Sequence, residues 1–294
     1  MALCARVRRT AVAEAREPLV VVVAYHGADD LRRALAPLRG LDVLVVDNSS
    51  SSDVVAAVLA SGATYCDAGG NLGFARAVNL GLARATGRDV VLVNPDAVMD
   101  AATVRKLKDA LHAGPLVAAA APALVGSDGV AQRVRWPYPT PGGAWLQALG
   151  LGRLVSDHDG FLVGAVLALR AEAIARVGGF DPDFFLYSEE TDWQRRASGA
   201  GFSVTWAQEL LATHVGGATS TDESRREVHF HAGAERYIRK WHGRRGWWSY
   251  RAAYLLGGVV RSAVLRGPAA QVARRRTALF WSGPMVVEKS LARR

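Results

Sequence analysis

The stretch Asn71–Asp100, NLGFARAVNLGLARATGRDVVLVNPDAVMD, decides the fold that we predict for this chain. Its opening, Asn71-Leu72-Gly73, has the composition of a turn in which glycine lets a ligand approach the backbone. Apolar residues recur at helical spacing over Phe74–Ala85, and the β-branched run at Asp89–Val93 predicts a buried parallel strand. Asn94-Pro95-Asp96 follows that strand. It therefore lies where open α/β sheets bind ligands, just past the carboxyl end of a strand.

Strands and helices alternate on both sides of this stretch. Strands are predicted at 18–24, 41–46, 63–66, 116–121, 161–169 and 202–206, and helices at 29–38, 54–59, 98–111, 172–177 and 189–200. The alternation predicts an α/β fold with a mostly parallel central sheet and helices on both faces. A Rossmann dehydrogenase shares this rhythm, but Tyr25-His26-Gly27 stands where GxGxxG would follow the first strand. The Pro and Gly density at 137–143 predicts a loop, which we extend to 158 as a mobile acceptor-side segment.

The composition suits a globular protein, and its charge is unevenly spread. The 294 residues are 50% hydrophobic and 21% charged, which is ordinary for a chain with a sizeable core. Residues 225–294 hold 16 Lys and Arg against three acids, whereas the first 224 residues hold 20 basic and 24 acidic side chains. The net charge of +9 therefore belongs to the tail and argues for a surface partner there.

Cysteine usage and terminal composition indicate a reducing compartment. Cys4 and Cys66 form neither a CxxC pair nor a disulfide framework, so the cytoplasm is the expected location. Residues 1–17 carry charges but no apolar block, and we expect a disordered leader rather than a signal peptide. No run reaches the roughly 18 apolar residues that span a bilayer.

The motifs resemble a known enzyme family. Asn71-Leu72-Gly73-Phe74-Ala75, then Asn79 and Gly81, then Val93–Asp96, is similar to the nucleotide-sugar half of family 2 inverting glycosyltransferases of the GT-A fold. The likeness is greatest to bacterial rhamnosyltransferases of cell-wall and polysaccharide assembly. It extends from about residue 20 to 217 and implies a catalytic domain at 18–224, followed by a basic, aromatic-rich helical tail at 225–294.

The resemblance implies a nucleoside-diphosphate sugar donor held at the carboxyl ends of the first strands. The donor-binding candidates are Ala24, Tyr25, Asp47, Asn71, Gly73, Asn79, Asn94 and Asp96. Asp47 can accept a hydrogen bond from a pyrimidine N–H or a ribose hydroxyl, but it also suits a cap within the polar turn 47–53.

Asp96 and His214 are the candidate metal ligands. A carboxylate can hold Mg²⁺ or Mn²⁺ against a diphosphate, and the cation then stabilises the leaving group. The family's usual DxD motif is Asn94-Pro95-Asp96 here, so one carboxylate is missing. In similar enzymes a histidine at the place of His214 completes the metal shell. The alternatives are a helix N-cap for Asp96 and a structural role for a lone histidine.

A second dense block, FDPDFFLYSEETDW at 180–193, resembles the acceptor side of these enzymes. Inverting transfer needs a general base for the acceptor hydroxyl, and the family's register assigns this role to Glu190, with Asp192 in reserve. The structural alternative is that acids favour the first turn of a helix. The other acceptor-side candidates are Arg135, Gly164, Ala165, Glu189 and Trp193. Arg135 could equally be a solvated arginine.

The tail differs in character from the catalytic domain. A helix is predicted at 227–241, and basic residues then alternate with Trp247, Trp248, Tyr250 and Tyr254. This composition suits the interface of an anionic membrane, although RNA binding or simple packing on the core uses the same residues.

These observations predict an enzyme on the inner face of the plasma membrane, with no nucleic-acid partner. The resemblance implies inverting transfer of L-rhamnose from dTDP-rhamnose to a lipid-linked or cell-envelope glycan. Two rivals are transfer to a soluble small molecule and a non-enzymatic basic module that binds membrane or nucleic acid.

Overall fold

The computed structural model describes residues 16–216 and 222–291. Residues 1–15 of the predicted leader, and residues 217–221 near the end of the predicted catalytic domain, lie outside the described residues. The chain divides into two compact units. The first comprises Met1–Trp136, Phe161–Pro182 and Glu190–Thr221, and the second comprises Pro137–Gly160, Asp183–Glu189 and Asp222–Arg294.

The first unit contains the strands. They are β1 (Leu19–Ala24), β2 (Val43–Asp47), β3 (Thr64–Asp67), β4 (Val90–Val93), β5 (Ala97–Val98), β6 (Val117–Val125), β7 (Ala131–Gln132), β8 (Arg135–Trp136), β9 (Phe161–Leu162), β10 (Val166–Leu169) and β11 (Ser203–His214).

The helices are shared between the two units. They are α1 (Ala28–Leu35), α2 (Ser52–Ser61), α3 (Phe74–Ala85), α4 (Ala101–His112), α5 (Pro141–Ala148), α6 (Ala171–Val177), α7 (Glu189–Gly199), α8 (Glu223–Val264), α9 (Gly267–Ser282) and α10 (Pro284–Leu291), with 3₁₀ turns at Ala36–Leu38 and Gly152–Leu154.

A nine-stranded sheet organises the first unit. Its order is β3-β2-β1-β4-β10-β6-β11-β5, with β7 paired to β6, and β8 and β9 form a separate two-stranded sheet. The strands β3, β2, β1 and β4 are parallel, as the alternation predicts. β10 runs antiparallel to both β4 and β6. The amino end of β10 therefore meets the carboxyl end of β4, with Val166 opposite Val93.

The core lies around the central strands because their side chains are apolar on both faces. All six residues of β1 and all four of β4 are buried. α3 packs on β1 and β2 through its small residues, and an ideal Cβ at Gly81 would lie 2.5 Å from Val21 Cγ1. Only glycine brings the helix backbone this close to the sheet, so the stretch that predicted the fold also determines the spacing between layers.

Three sequence predictions for the first unit need correction. The single strand expected at 161–169 is divided into β9 and β10, which belong to different sheets. The helix expected at 98–111 begins at Ala101, because Asp100 accepts a hydrogen bond from Thr103 N at 2.7 Å and caps it. Asp96 is therefore not the N-cap of α4. The strand expected at 202–206 continues to His214 past a bulge between Ala207 and Leu211, whose polar residues hid the extended conformation in the sequence pattern.

The loop predicted from the Pro and Gly density near residue 140 is a helix in the second unit. Thr140 caps α5 by accepting a hydrogen bond from Gly143 N at 3.0 Å, and Pro141 occupies the first turn. Proline suits this position because its missing N–H has no helical partner there. The expectation of an open loop at 140–158 was therefore wrong over α5 and the 3₁₀ turn that follows.

Four helices of the second unit pack together through close backbone contacts and buried aromatic rings. α8 is far longer than the predicted 227–241 and has a kink at Gly243. An ideal Cβ at Gly257 would lie 3.2 Å from Ala148 Cα, and one at Gly258 would collide with Thr277 Oγ1. These glycines permit packing of α8 against α5 and α9 and do not end the helix. No helix in the described ranges offers an apolar segment long enough to cross a bilayer.

Candidate functional site

The candidate site occupies the edge of the sheet where β1, β2 and β4 end. Ala24 and Asp47 are paired in the register of β1 with β2, and Asn48 N donates to Ala24 O at 2.8 Å. The next strand end along this edge belongs to β4, where the chain turns through Asn94. Parallel topology therefore gathers three predicted donor-binding segments at one edge. Tyr25 is 37% exposed beside them.

Asp47 is fully buried and its carboxylate organises the turn after β2. It accepts hydrogen bonds from Ser49 N at 2.9 Å, Ser49 Oγ at 2.7 Å and Ser51 N at 3.0 Å. Tyr65 Oη also donates to it at 3.1 Å, and burial, together with the charge of Asp47, raises the pKa of Tyr65 to about 12. These contacts agree with the alternative in which Asp47 caps the polar turn 47–53, and its contact with the nucleotide stays a prediction.

The glycine-containing turn before α3 is held by a pair of carboxamides. Asn71 Oδ1 accepts from Asn48 Nδ2 at 3.0 Å and from Gly73 N at 3.1 Å, while Asn48 Oδ1 accepts from Leu72 N at 2.8 Å. Gly73 has φ of 81°, a region that favours glycine. Asn48, which the sequence analysis did not single out, thus locks the Asn71–Gly73 turn beside the end of β2.

Asn79 has a different environment from the other donor-side candidates. Its Nδ2 donates to Phe180 O and its Oδ1 accepts from Phe180 N, both at 2.8 Å. An ideal Cβ at Gly179 would collide with Asn79 Oδ1. The amide thus ties α3 to the segment after α6. These contacts give Asn79 a structural role, and its role in donor binding stays a prediction.

Asp96 and His214 come together although 118 positions separate them. The strand pairing puts His214 opposite Ala97, and Val215 N donates to Asp96 O at 3.1 Å. His214 Nε2 lies 3.5 Å from Asp96 Oδ1. Within the described residues this carboxylate oxygen is buried and accepts no hydrogen bond. A buried carboxylate oxygen of this kind needs a cation or a proton donor.

The residues fit a divalent cation at this place. Gln132 Nε2 donates to His214 O at 2.8 Å, which orients the amide so that its Oε1 faces His214 Nδ1 at 2.9 Å. Nδ1 therefore carries the proton, and a neutral ring presents the lone pair of Nε2 toward Asp96. Across residues 16–216 and 222–291 no cluster of three Asp, Glu, His or Cys side chains forms. Two ligands leave open coordination positions for diphosphate oxygens and water.

Glu190 lies in the first turn of α7 and faces Gly164. An ideal Cβ at Gly164 would lie 3.4 Å from Glu190 Cγ, so a small residue at this place accommodates the carboxylate side chain. Ala165 O accepts from Asn94 N at 2.8 Å. The Gly164–Ala165 segment therefore connects the predicted base to the end of β4. The turn before α7 has two non-glycine residues with positive φ, Tyr187 at 68° and Ser188 at 70°.

Among the other acceptor-side candidates, Asp192 and Trp193 make structural contacts. Asp192 is fully buried and accepts from Arg196 Nε at 2.9 Å, and Trp193 is fully buried with Nε1 donating to Gly178 O at 2.8 Å. Arg135 is half-buried in β8, with Nη2 at 3.5 Å from Val204 O, and Glu189 is 4% exposed. The geometry separates Asp192 and Trp193 from the surface and leaves Glu190 as the candidate base.

Gln132 and Gln194 were missed by the sequence analysis. Gln194 Oε1 accepts from Leu162 N at 2.8 Å and its Nε2 donates to Leu162 O at 2.7 Å, which fixes α7 on β9. A lone glutamine on a two-residue strand or inside a helix carries no sequence signal. Only the pairing of β6 with β7 and of β6 with β11 shows that Gln132 belongs beside His214.

The chain is similar to known sugar-transferring proteins. The family model "Glycosyl transferase family 2" matches residues 19–177. N-acetylglucosaminyl-diphospho-decaprenol L-rhamnosyltransferase from two strains of Mycobacterium tuberculosis is 26% identical over 294 residues, covering 87% of this chain and 95% of that protein.

Two solved structures share the fold. The mannosyltransferase PcManGT from Pyrobaculum calidifontis, in complex with GDP-Man and Mn²⁺, is 18% identical with a TM-score of 0.56, over 97% of this chain and 89% of that one. Glucosyl-3-phosphoglycerate synthase from Mycobacterium tuberculosis, in complex with Mn²⁺, UDP and glucosyl-3-phosphoglycerate, is 18% identical with a TM-score of 0.55, over 79% and 82% of the two chains. The predicted GT-A arrangement is thereby confirmed. Since the family model covers more than half of the sequence and the bacterial rhamnosyltransferases align along most of it, the chain belongs to glycosyl transferase family 2.

Proposed function

We propose that this glycosyltransferase moves a sugar, L-rhamnose from dTDP-rhamnose as the first choice, to a hydroxyl of a lipid-linked or cell-envelope glycan with inversion at the anomeric carbon. The observation that carries the proposal is the pair of facing atoms, Asp96 Oδ1 and His214 Nε2, 3.5 Å apart at the carboxyl edge of the sheet. The choice of rhamnose and of a lipid-linked acceptor is supported by the mycobacterial relatives, whose name specifies both.

Asp96 and His214 would hold Mg²⁺ or Mn²⁺ on the diphosphate of the donor. A divalent cation, when bound, neutralises the charge that develops on the departing nucleoside diphosphate. The chain's own contribution is a fixed ligand pair: His214 is the last residue of β11, and the backbone bond from Val215 N to Asp96 O holds the two segments together. The Mn²⁺ in both similar solved structures supports a divalent cation in this protein.

Glu190 would accept the proton of the acceptor hydroxyl as that oxygen attacks the anomeric carbon. Glu190 lies in the first turn of α7, with its side chain packed against Gly164. The bond from Asn94 N to Ala165 O connects this position to the donor-binding edge. Attack from the side opposite the leaving diphosphate gives inversion, and a single base suffices for that step.

The experiment begins with a donor panel. Calorimetric titration with dTDP-rhamnose, UDP-glucose, UDP-galactose, UDP-N-acetylglucosamine and GDP-mannose, each with Mn²⁺ and with chelator, should show metal-dependent binding of one donor. Silence across the panel in the presence of Mn²⁺ and a lipid-linked acceptor would contradict the proposal. With the donor known, the one-bond ¹³C–¹H coupling at the anomeric carbon of the product gives its configuration and distinguishes inversion from retention.

Variants then separate the roles of the residues. Glu190→Gln should lower kcat by 10²-fold or more, the size of a lost general base, while donor affinity stays near that of the parent protein. Asp96→Ala should weaken donor binding with Mn²⁺ and have little effect with chelator. Glu209→Gln is the matched control, because Glu209 is exposed on β11 and the same substitution there should leave turnover unchanged.

The second unit supplies a surface suited to the membrane in which a lipid-linked acceptor would lie. Between Glu235 and Glu288 the sequence holds eleven Lys and Arg and no acid. Trp281 is 75% exposed and Trp248 is 57% exposed, and Val264 is exposed on the same helix as Trp248. A shallow groove of about 610 Å³ is lined by side chains of α8 and α9, including that of Trp281. Arg236, Arg239, Arg275 and Arg276 pair with the carboxylates of Glu288, Glu235 and Glu227, so the remaining seven Lys and Arg carry the positive charge of this stretch. Indole rings, aliphatic side chains and an excess of cations over acids suit an anionic bilayer interface.

We therefore include peripheral binding to the inner face of the plasma membrane in the proposal. Sedimentation with vesicles of phosphatidylglycerol and phosphatidylcholine should pull down the protein, and vesicles of phosphatidylcholine alone should bind it less. Trp248→Ser with Trp281→Ser should weaken binding, whereas Trp136→Ser should not, since Trp136 is an exposed tryptophan of the first unit. Equal binding by both variants, or no binding to anionic vesicles at moderate salt, would refute a membrane role for this surface.

A further inference from the structure

The side chain of Gln132 makes two hydrogen bonds to a single residue, His214. One joins Nε2 to the backbone carbonyl of His214 at 2.8 Å, and the other joins Oε1 to Nδ1 of its ring at 2.9 Å. The carbonyl oxygen can only accept, so it determines which end of the amide faces the ring. Gln132 thus contacts the proposed metal ligand from the side opposite Asp96.

The strand that carries Gln132 is held in place by a tight turn. Gln132 is paired with Leu124 in the register of β7 with β6, and Gly126 N donates to Val130 O at 2.8 Å. Asp128 Oδ1 accepts from Val130 N at 3.0 Å and completes the turn. The hairpin therefore presents the carboxamide from a fixed backbone, as a residue that orients another side chain requires.

We propose that Gln132 is a positioning residue that fixes the ring orientation and tautomer of His214 for metal binding. The inference rests on the proposed metal-dependent sugar transfer, in which His214 Nε2 is a ligand. An imidazole binds a cation through an unprotonated nitrogen, and the proton must then reside on the other nitrogen. Gln132 Oε1 accepts the proton of Nδ1 and holds the ring so that Nε2 faces Asp96, which leaves Nε2 as the nitrogen available to a cation.

A structural role for Gln132 predicts a different outcome from a positioning role. If the carboxamide only braced the hairpin, its loss would lower stability and leave the ring nitrogens alone. If it orients His214, its loss frees the ring to rotate and to move the proton to Nε2, where it blocks the ligand. Partners that hydrogen-bond a ligating histidine typically change metal affinity by 10- to 100-fold.

The first measurement is the affinity for Mn²⁺ alone, from electron paramagnetic resonance of the free ion. Gln132→Met keeps the length of the side chain and removes both hydrogen bonds, and we expect about 10-fold weaker binding or more, recovered at higher Mn²⁺. Asp128→Ala is the matched control, since it removes a bond of the same hairpin without touching His214. Unchanged affinity in Gln132→Met, or an equal loss in Asp128→Ala, would overturn the inference.

The second measurement reads the tautomer directly and does not depend on the variant's stability. Long-range ¹⁵N–¹H spectra of histidine-labelled protein, at a pH where the ring is neutral, should show His214 with the proton on Nδ1. A proton on Nε2 in the parent protein would also overturn the inference. Asp96→Ala and His214→Ala should abolish Mn²⁺ binding. If they do not, the proposed metal site itself fails, whereas normal binding by Gln132→Met alone rejects only the role of Gln132.

Discussion

Gly81→Ala should destabilise the first unit, even though alanine is the better helix former. An ideal Cβ at Gly81 would lie 2.5 Å from Val21 Cγ1 and 3.1 Å from Val21 Cγ2. Val21 is 1% exposed on the central strand β1, so neither side chain nor backbone can withdraw easily. Overpacking of a core costs about 1–3 kcal/mol, and the gain in helix propensity offsets about 1 kcal/mol of it. We expect a net loss of about 1–2 kcal/mol.

A double-mutant cycle identifies the contact responsible. Val21→Ala alone should cost about 2–3 kcal/mol through lost burial and a cavity. In the double variant the new methyl group occupies the space that Val21 Cγ1 vacates, so the loss should fall short of the sum by about 1–3 kcal/mol. Gly199→Ala is the control, since nothing lies within 4 Å of an ideal Cβ there.

Urea unfolding followed by circular dichroism gives these free energies, and hydrogen exchange of peptides from β1 and α3 assigns the change to the first unit. A neutral or stabilising Gly81→Ala, or singles that add within about 0.5 kcal/mol, would refute the reasoning.

Three further predictions concern caps and titrating groups. His231 is 3% exposed, and burial, with a smaller contribution from Arg276, lowers its pKa to about 4. The unfolded state therefore takes up the proton first as the pH falls below 6.5, and the parent protein loses stability. Between pH 7 and pH 5, in urea unfolding series, the free energy of unfolding of the parent should fall by about 2 kcal/mol relative to that of His231→Phe. Burial raises the pKa of Glu288, but hydrogen bonds from His229 and Arg236 outweigh it and hold the pKa below its ordinary value. The stability from Glu288 is thus present above about pH 4.5 and lost as the pH falls through the lower folded-state value, and Glu288→Gln should flatten the acid limb of Tm against pH. Asp100→Ala removes the cap of α4 and should cost about 1 kcal/mol by calorimetry, with a loss below 0.3 kcal/mol counting against the capping role.

The alternating part of the fold was predictable because local pattern and tertiary role agree there. α3 spans Phe74–Ala85 as its apolar periodicity predicts, and the chain leaves the helix through Thr86 and Gly87, both with positive φ. In the second unit, glycine has a different role, because it lies inside a helix and does not end one. Gly257 and Gly258 lie inside α8 and permit close helix packing, which depends on neighbours that a sequence pattern does not contain.

The candidate metal ligands were predictable from the sequence, but the residues that hold the site in place were not. Asp96 and His214 follow from motif resemblance, and the structure brings them within 3.5 Å. The roles of Asp192 and Trp193 could not be separated from that of Glu190 by sequence, because position along a helix decides which side chain is buried. Full burial of Asp192 beside Arg196 becomes visible only when the packing of α7 is known.

Asn79, Gln132 and Gln194 share a feature with a consequence for how substitutions in this protein should be judged. Each carboxamide both donates to and accepts from one other residue, so its two ends have opposite electrostatic requirements. The acid of the same shape, Asp or Glu, replaces the donor end with an oxygen facing a carbonyl. In a saturation-mutagenesis experiment, Asp at position 79 and Glu at positions 132 and 194 should therefore be depleted. Their depletion should exceed that of substitutions at exposed positions that change the side-chain shape more. At these three positions, the similarity of the new side chain in size is therefore the wrong measure of how damaging a substitution is.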